Sequence, residues 1–365
     1  MSKNIALNSI VPKTTIINAI PETERSLKQY EQEFIQLCQE INQLKGNLKL
    51  KYNELAILQE NIADKKKIIS QINTQAKKLN DIRLNLPNFL IIGAQKGGTT
   101  WLHENLKRHP QIFLPQGRKE LEFFSYYQKK LADHGLGYYL KYFNRFDDVI
   151  QTKKFKAIGE ATPSYFWSTN PRRKWTHPPN RYFNEQIPES VFNILSSDIK
   201  LILCLRDPVE RAISAYFHHI QRDRITYESQ SIFDVGHLYG IIDMGFYSQH
   251  LNAWLKKFSL KNFKVLIYER DIKQNKQQTI ENICGFLGVD PQLFPPSTNL
   301  DKYHNRGLQY SIEAEGVYLI CPENSDRTIV ITQDELHQLR QIYRADYLSL
   351  QKTLNLDLSE YWKFD

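Results

Sequence analysis

A chain of 365 residues, 41% hydrophobic and 12% aromatic, is long enough for one large buried core plus an accessory segment. Its net charge of +8 divides into +4 over residues 1–86, from 13 Lys+Arg against 9 Asp+Glu, and +4 over the other 279 residues, a balance too mild to point to a nucleic-acid partner. Four cysteines (Cys38, Cys204, Cys284 and Cys321), with no CxxC pair and no histidine at zinc-ligand spacing, read as reduced, mostly core thiols of a reducing compartment.

Residues 1–23 are expected to form an N-terminal tail. They begin MSKNIALNSIVPKTT, which lacks an apolar h-region, and no 18-residue apolar run occurs anywhere in the chain. Neither a secretory signal nor a membrane span is expected, and the cytoplasm is the expected location.

Residues 24–84 are expected to be a coiled coil. Positions taken alternately three and four apart are Leu27, Tyr30, Phe34, Leu37, Ile41, Leu44, Leu48, Lys51, Leu55, Leu58, Ile62, Lys65, Ile69, Ile72, Ala76 and Leu79; fourteen of these sixteen are apolar. A 3.5-residue period held this long is the mark of a supercoiled seam rather than of an ordinary surface helix. The seam must bury itself against a parallel homo-oligomer, against its own second half in a helical hairpin turning at Gly46-Asn47, or against a foreign partner. Lys51 and Lys65 either select register or snorkel from the seam. Asn85-Leu86-Pro87 ends the segment, because the residue before proline is pushed out of the helical region.

From residue 88 to 365 the pattern changes to short apolar runs alternating with helical stretches. The runs are Phe89–Ile92, Phe155–Gly159, Leu201–Leu205 and Phe263–Tyr268. This predicts an α/β domain with a central, mostly parallel sheet flanked by helices. Ligands of such sheets bind beyond the carboxyl ends of the strands.

At the first strand end stands GAQKGGTTW, Gly93 to Trp101, running into a helical pattern that stops near His109-Pro110. Glycines let successive N–H groups converge on one anion, and the helix start adds unpaired donors and a positive dipole end. The frame Gly93–Gly98 matches a nucleotide-triphosphate loop, but Lys96 falls inside it and Thr99 fills the usual lysine slot. Read alone, the stretch is a phosphate-binding loop, a degenerate nucleotide triphosphatase loop or a glycine-rich turn with a surface lysine. At the third strand end, Asp207-Pro208-Val209-Glu210 reads as N-cap, proline at the first helical position and an acid at the third. That holds Arg206 at the strand end, with Ser214 two turns along the helix. The pair suits a phosphate; a surface salt bridge of Arg206 is the plainer alternative.

The two stretches together resemble the sulfotransferases that use 3′-phosphoadenosine 5′-phosphosulfate (PAPS). Gln95–Thr100 is similar to that family's Q-K-x-G-T-T loop, and Arg206–Tyr216 to its R-D-P-x-x-R-x-x-S-x-Y motif, 110 residues further on. By this resemblance Lys96, Gly97, Gly98, Thr99, Thr100 and Trp101 bind the donor's phosphosulfate end, Arg206 and Ser214 its 3′-phosphate, and Arg211 supports the helix. GRKELEFF (Gly117–Phe124) carries Lys119, Glu120 and Glu122 beside an aromatic pair, and alone is a charged loop before a hydrophobic anchor. It resembles the K-E-x-x-F-F element of heparan sulfate sulfotransferases and bacterial relatives, which implies Glu120 as catalytic base with Lys96 meeting the leaving group.

HGLGYYLKYF (His134–Phe143), GEATPSYF (Gly159–Phe166) and GFYSQHLNAWLKKF (Gly245–Phe258) resemble further segments of that group. They imply an acceptor-side role for His250, against a structural hydrogen bond beside Trp254. KYHNRGLQY (Lys302–Tyr310) sits where the family has a basic loop over the donor, with Arg306 as candidate. Ala161 replaces the lysine of the family's G-E-K-T-P, which separates this chain from heparan-like acceptors.

The resemblance implies sulfuryl transfer from PAPS to a hydroxyl or amine, most naturally on a carbohydrate, with no metal required. A small molecule, lipid or peptide acceptor is the alternative within the class. A non-catalytic nucleotide-binding scaffold assembled through the coiled coil is the alternative outside it. The expected partners are a glycan acceptor and further copies of the chain.

Overall fold

The computed structural model describes residues 24–79, 86–126, 131, 133–143, 155–168, 185–226, 231–296, 299–302, 309–320 and 328–364. It divides into two compact units, residues 1–83 and 84–365. In the first, α1 (Glu24–Leu79) is one uninterrupted helix of 56 residues. It runs through Gly46-Asn47, so the hairpin turn is not formed there: one glycine costs a helix about 1 kcal/mol, too little to break so long a run. Among the described residues, no helix is long and apolar enough to cross a membrane.

The second unit is built on a five-stranded sheet: β1 (Phe89–Gly93), β2 (Ile112–Phe113), β3 (Ala157–Ala161), β4 (Lys200–Leu205) and β5 (Phe263–Ile267). The spatial order is β2-β3-β1-β4-β5 and every pairing is parallel, as the alternating pattern predicts. Side chains of a strand alternate between faces, and the sheet is covered on both. Leu90, Ile92, Leu201 and Leu203 enter one buried cluster, and Phe89, Ile91, Ile202 and Cys204 the other. Cys204 and Cys284 are free and buried, whereas Cys38 lies half-exposed on α1; Cys321 lies outside the described residues.

β1 and β4 are each one residue longer than expected, ending at Gly93 and beginning at Lys200, and β3 and β5 differ as well. β3 is displaced two residues toward its carboxyl end, because its register on β1 pairs Phe89 with Gly159 and Ile91 with Ala161. That buries Glu160 completely, which hydropathy argues against. The carboxylate is accommodated by three hydroxyl donors: Tyr139 at 2.8 Å, Tyr165 at 2.9 Å and Thr162 at 2.7 Å. β5 stops at Ile267, and Tyr268–Gln274 winds into a wide π-type helix. Tyr268 therefore leaves the sheet.

The chain leaves β1 toward β3 on one side and later returns through β4 to β5 on the other. The switch in direction lies between β1 and β4, where a crevice opens beyond the strand ends. Helix α2 (Thr99–Leu106) follows β1, α3 (Ile187–Leu195) precedes β4, and α4 (Pro208–Ile220) follows it. The start of α4 is as read from sequence: Asp207 Oδ1 accepts the N–H groups of Val209 and Glu210 at 2.8 and 3.0 Å, with Pro208 at the first position.

Beyond β5 come α6 (Lys276–Leu287) and an antiparallel sheet of β6 (Gln309–Glu313), β7 (Gly316–Ile320) and β8 (Thr328–Thr332), which the strand pattern did not announce. A capping box between Thr332 and Glu335 starts α7 (Gln333–Leu354). Helix α5 (Tyr247–Leu255) packs against α7, and the link is polar as well as apolar. Asp346 of α7 accepts the N–H groups of Ser248 and Gln249 at 2.8 and 3.1 Å, serving the first turn of α5 from another helix. Asp346→Ala is expected to cost about 1–2 kcal/mol, read as a lower urea midpoint at unchanged slope.

Candidate active site

The site is built where the loop after β1 crosses the end of β4. Ala94 N–H donates to the Cys204 carbonyl at 2.7 Å, and Gly97 N–H folds back to the Ala94 carbonyl at 2.9 Å. A Cβ on Gly97 would lie 2.4 Å from that same Cys204 oxygen, and one on Gly98 2.6 Å from Ile272 and 2.9 Å from the Tyr268 ring. Gly98 also has φ +100°, a left-handed conformation that favours glycine. Both glycines are thus fixed by close approach; the N–H groups of Ala94, Gln95 and Gly97 are bonded within the protein, and Lys96 stands between them at the strand end. Thr99 is buried and Thr100 half-buried at the head of α2. Trp101 donates its indole N–H to the Leu300 carbonyl at 2.8 Å, pinning the segment 299–302.

On the neighbouring strand end, Arg206 is largely enclosed. Its guanidinium lies 5.0 Å from the centre of the Tyr268 ring and donates to Glu210 Oε2 at 2.7 Å, and its carbonyl accepts from Tyr247 at 2.8 Å. Tyr268 therefore touches both sequence motifs: its edge meets Gly98 and its face meets Arg206. Ser214 is half-buried two turns along α4. Arg211, by contrast, points into the core and donates to the carbonyls of Gly240 and Ile241, so it supports the helix as read from sequence.

The charged loop at 117–124 joins from the other side. Lys119 Nζ lies 2.8 Å from Thr100 Oγ1 and 3.7 Å from the Glu120 carboxylate. Glu120 is about half-exposed, its side chain 44% accessible, so a bulky acceptor can reach it. Glu122 turns instead to Arg118 at 3.4 Å, and its N–H donates to Thr162 at 3.3 Å. The loop is anchored by the aromatic pair: Phe123 stacks on Tyr139 with ring centres 4.4 Å apart, and Phe124 N–H reaches the Tyr165 hydroxyl. Since Tyr139 and Tyr165 both serve Glu160, that buried carboxylate also holds the loop that carries Glu120 beside β3.

Cations gather around Lys96. Burial first, then the charges of Arg206, Arg222, Lys119 and Arg211, pull its ammonium down from the ordinary 10.5 to about 8. Burial likewise lowers Lys119, with Glu120 opposing it. The arrangement is strained toward an anion: a doubly charged phosphate placed among these groups relieves the repulsion that lowers Lys96.

His250 lies elsewhere in character. It is fully buried, its Nε2 lies 2.9 Å from the Asp243 carbonyl, and Phe166 packs edge-on at 5.5 Å. Burial lowers it to about 4, so the ring is neutral at pH 7. Arg306 lies outside the described residues.

Three contributors are not announced by the sequence: Tyr268, expected as the end of β5, and His218 and Arg222. Arg222 is among the charges that lower Lys96, and burial first, then Lys96 and Arg222, lower His218 to about 3. Ser214 and His218 stand at i and i+4 on one face of α4, and Arg222 follows just past the helix end at Ile220.

The chain belongs to the sulfotransferase domain family, whose model matches residues 86–307. Among curated relatives it is similar to the membrane-associated sulfotransferase kil1 of Dictyostelium discoideum, 39% identical over 138 residues, covering 38% of this chain and 24% of that protein. It is also similar to heparan sulfate glucosamine 3-O-sulfotransferase 3A1 of Mus musculus, 26% identical over 287 residues, covering 75% and 64% respectively. The chain thus spans about a quarter and just under two thirds of these two relatives. A solved sulfotransferase from Alicyclobacillus acidocaldarius shares the fold, with a TM-score of 0.50 and 22% identity over 75% of this chain and 98% of that one.

Two outcomes follow from the site's geometry. Gly97→Ala is expected to push the loop off β4 and cost roughly 1–3 kcal/mol, measured by chemical denaturation. An NMR titration of the lysine side chains should show Lys96 ionising near pH 8, and Arg206→Gln should move that midpoint upward, since a repelling charge is gone. A midpoint unmoved by the substitution would mean that Arg206 does not act on Lys96.

Proposed function

We propose that this chain transfers the sulfuryl group of PAPS to a hydroxyl of a carbohydrate acceptor. The observation that carries the reading is the meeting of three segments at neighbouring strand ends. The loop after β1 bears Lys96, Arg206 at the end of β4 acts on it, and the 117–124 loop brings Lys119 to Thr100 with Glu120 beside it. PAPS, when bound, supplies an activated sulfuryl group on its 5′-phosphate.

The N–H groups at the start of α2, with Thr99 and Thr100, hold that phosphate, while Arg206 and Ser214 take the 3′-phosphate across the switch point. Trp101 keeps the loop's helix in place and lines the same crevice. In the transfer an oxygen–sulfur bond forms from the acceptor hydroxyl as the bond between sulfur and the bridging phosphate oxygen breaks. The hydroxyl proton goes to Glu120, and the charge left on the 5′-phosphate is met by Lys96 and Lys119. No proton transfer is assigned to buried His250.

The carbohydrate class is supported by the names of the curated relatives, which are heparan sulfate glucosamine 3-O-sulfotransferases. Ala161 is fully buried at the end of β3, where the heparan group carries a lysine. Heparan itself is therefore not the acceptor we put forward.

Calorimetry should show binding of 3′-phosphoadenosine 5′-phosphate and none of ATP with magnesium; the reverse result would remove the donor assignment. Affinity for the bisphosphate is expected to hold below pH 8 and to fall above it, by at most tenfold per pH unit, because the anion binds the protonated form of Lys96. Lys96→Met should flatten that profile. Glu120→Gln should keep bisphosphate affinity while transfer of labelled sulfate from PAPS to a glycan panel falls by roughly 100-fold or more. If donor affinity falls with it, Glu120 is not the base.

A further inference from the structure

We propose that α1 pairs with the same helix of a second copy of this chain as a parallel, in-register, two-stranded coiled coil. The helix presents its seam to solvent: nine apolar seam positions from Phe34 to Ile69 are 47–69% exposed. At 1.5 Å per residue the helix is about 80 Å long, and an amphipathic helix of that length draws its stability from burial of the seam. The occupant that matches the seam along its whole length is the seam itself, since a repeat of constant period is self-complementary.

The number of strands follows from side-chain shape. From Phe34 to Ile69 the seam position that precedes each three-residue step holds Phe34, Ile41, Leu48, Leu55, Ile62 and Ile69, half of them isoleucine, and the one that follows it holds Leu37, Leu44, Lys51, Leu58 and Lys65. β-Branched residues at the first and leucine at the second favour two parallel strands.

Orientation follows from charge. Flanking the seam on one side are Glu33, Glu40 and Glu54, and on the other Lys45 and Lys66. A parallel pair sets each residue of the acidic column against the residue five further along the second copy. Glu40 then meets Lys45, Glu54 meets Gln59 and Asn61 meets Lys66, with no like charges opposed. An antiparallel pair sets the acidic column against itself, with Glu54 facing its own counterpart at full overlap. Lys51, one of the two seam lysines, is already bound to Glu54 of its own helix at 2.8 Å. Its charge is thereby offset while its stem covers the seam. Lys65 extends past the seam to water in the same way. Ile35, Leu50 and Ile57 lie off the seam and stay exposed in the pair.

The full chain tests this directly. Light scattering at micromolar concentration should give twice the chain mass; the mass of one chain, or of three, overturns the proposal. With Cys38→Ser as background, Leu44→Cys should form a covalent dimer on oxidation, because residue 44 faces its own counterpart in a parallel in-register pair. A full antiparallel overlap puts it opposite residue 62, so a dimer by mass that fails to cross-link overturns the orientation. Lys45→Glu should raise the dimer dissociation constant roughly three- to tenfold, through two symmetry-related repulsions, and adding Glu40→Lys should restore it. No change in either variant overturns the charge pairing. Ile41→Asp with Leu44→Asp should give monomers whose α/β unit still unfolds cooperatively at an unchanged midpoint, which separates lost pairing from lost folding; a dimer that survives this pair of substitutions overturns the seam.

Discussion

The domain depends on one crossing: the loop after β1 passes over the last carbonyl groups of β4 with room for backbone and nothing more. The hydrogen bond from Ala94 to Cys204 fixes the height of the loop, and the 2.4 Å clearance at Gly97 leaves no space for a side chain. Because the loop cannot move outward, Lys96 is turned into the crevice between β1 and β4. Arg206, at the end of β4, is then the largest charged influence on it after burial itself.

Cations are crowded at this strand end. Burial is the main cause of the lowered basicity of Lys96 and Lys119, and for Lys96 the charges of Arg206, Arg222, Lys119 and Arg211 add to it. On the proposed reading, an anion bound there would be met by charges already in place. Glu120 stands at the edge of the cluster, close enough to Lys119 to be held and exposed enough to meet an acceptor. The buried Glu160, with Tyr139 and Tyr165, anchors that edge from below. A carboxylate in the core is tolerated there because three hydroxyls satisfy it.

α1 obeys different physics. Its order comes from a repeat, and its exposed seam calls for a surface of the same period. The α/β unit buries apolar residues on both faces of its sheet.

Much of this was legible in the residues. The glycine frame with Lys96, the Asp207-Pro208 helix start, the parallel sheet and the heptad seam are signals of local chemistry, each carried by a few adjacent side chains or by a constant period. The sequence also held the i, i+4 pair of Ser214 and His218, though its meaning depends on what lies opposite. Tertiary structure alone decided the rest. It brought Lys119 to Thr100 across 19 positions, and set Tyr268 between Gly98 and Arg206. It shifted β3 to match β1 and sank Glu160 and His250 into the core. The reason is range: hydrogen-bond caps and periodicity act within a turn or two, whereas register, burial and the meeting of charges are set by strands and helices far apart in the chain.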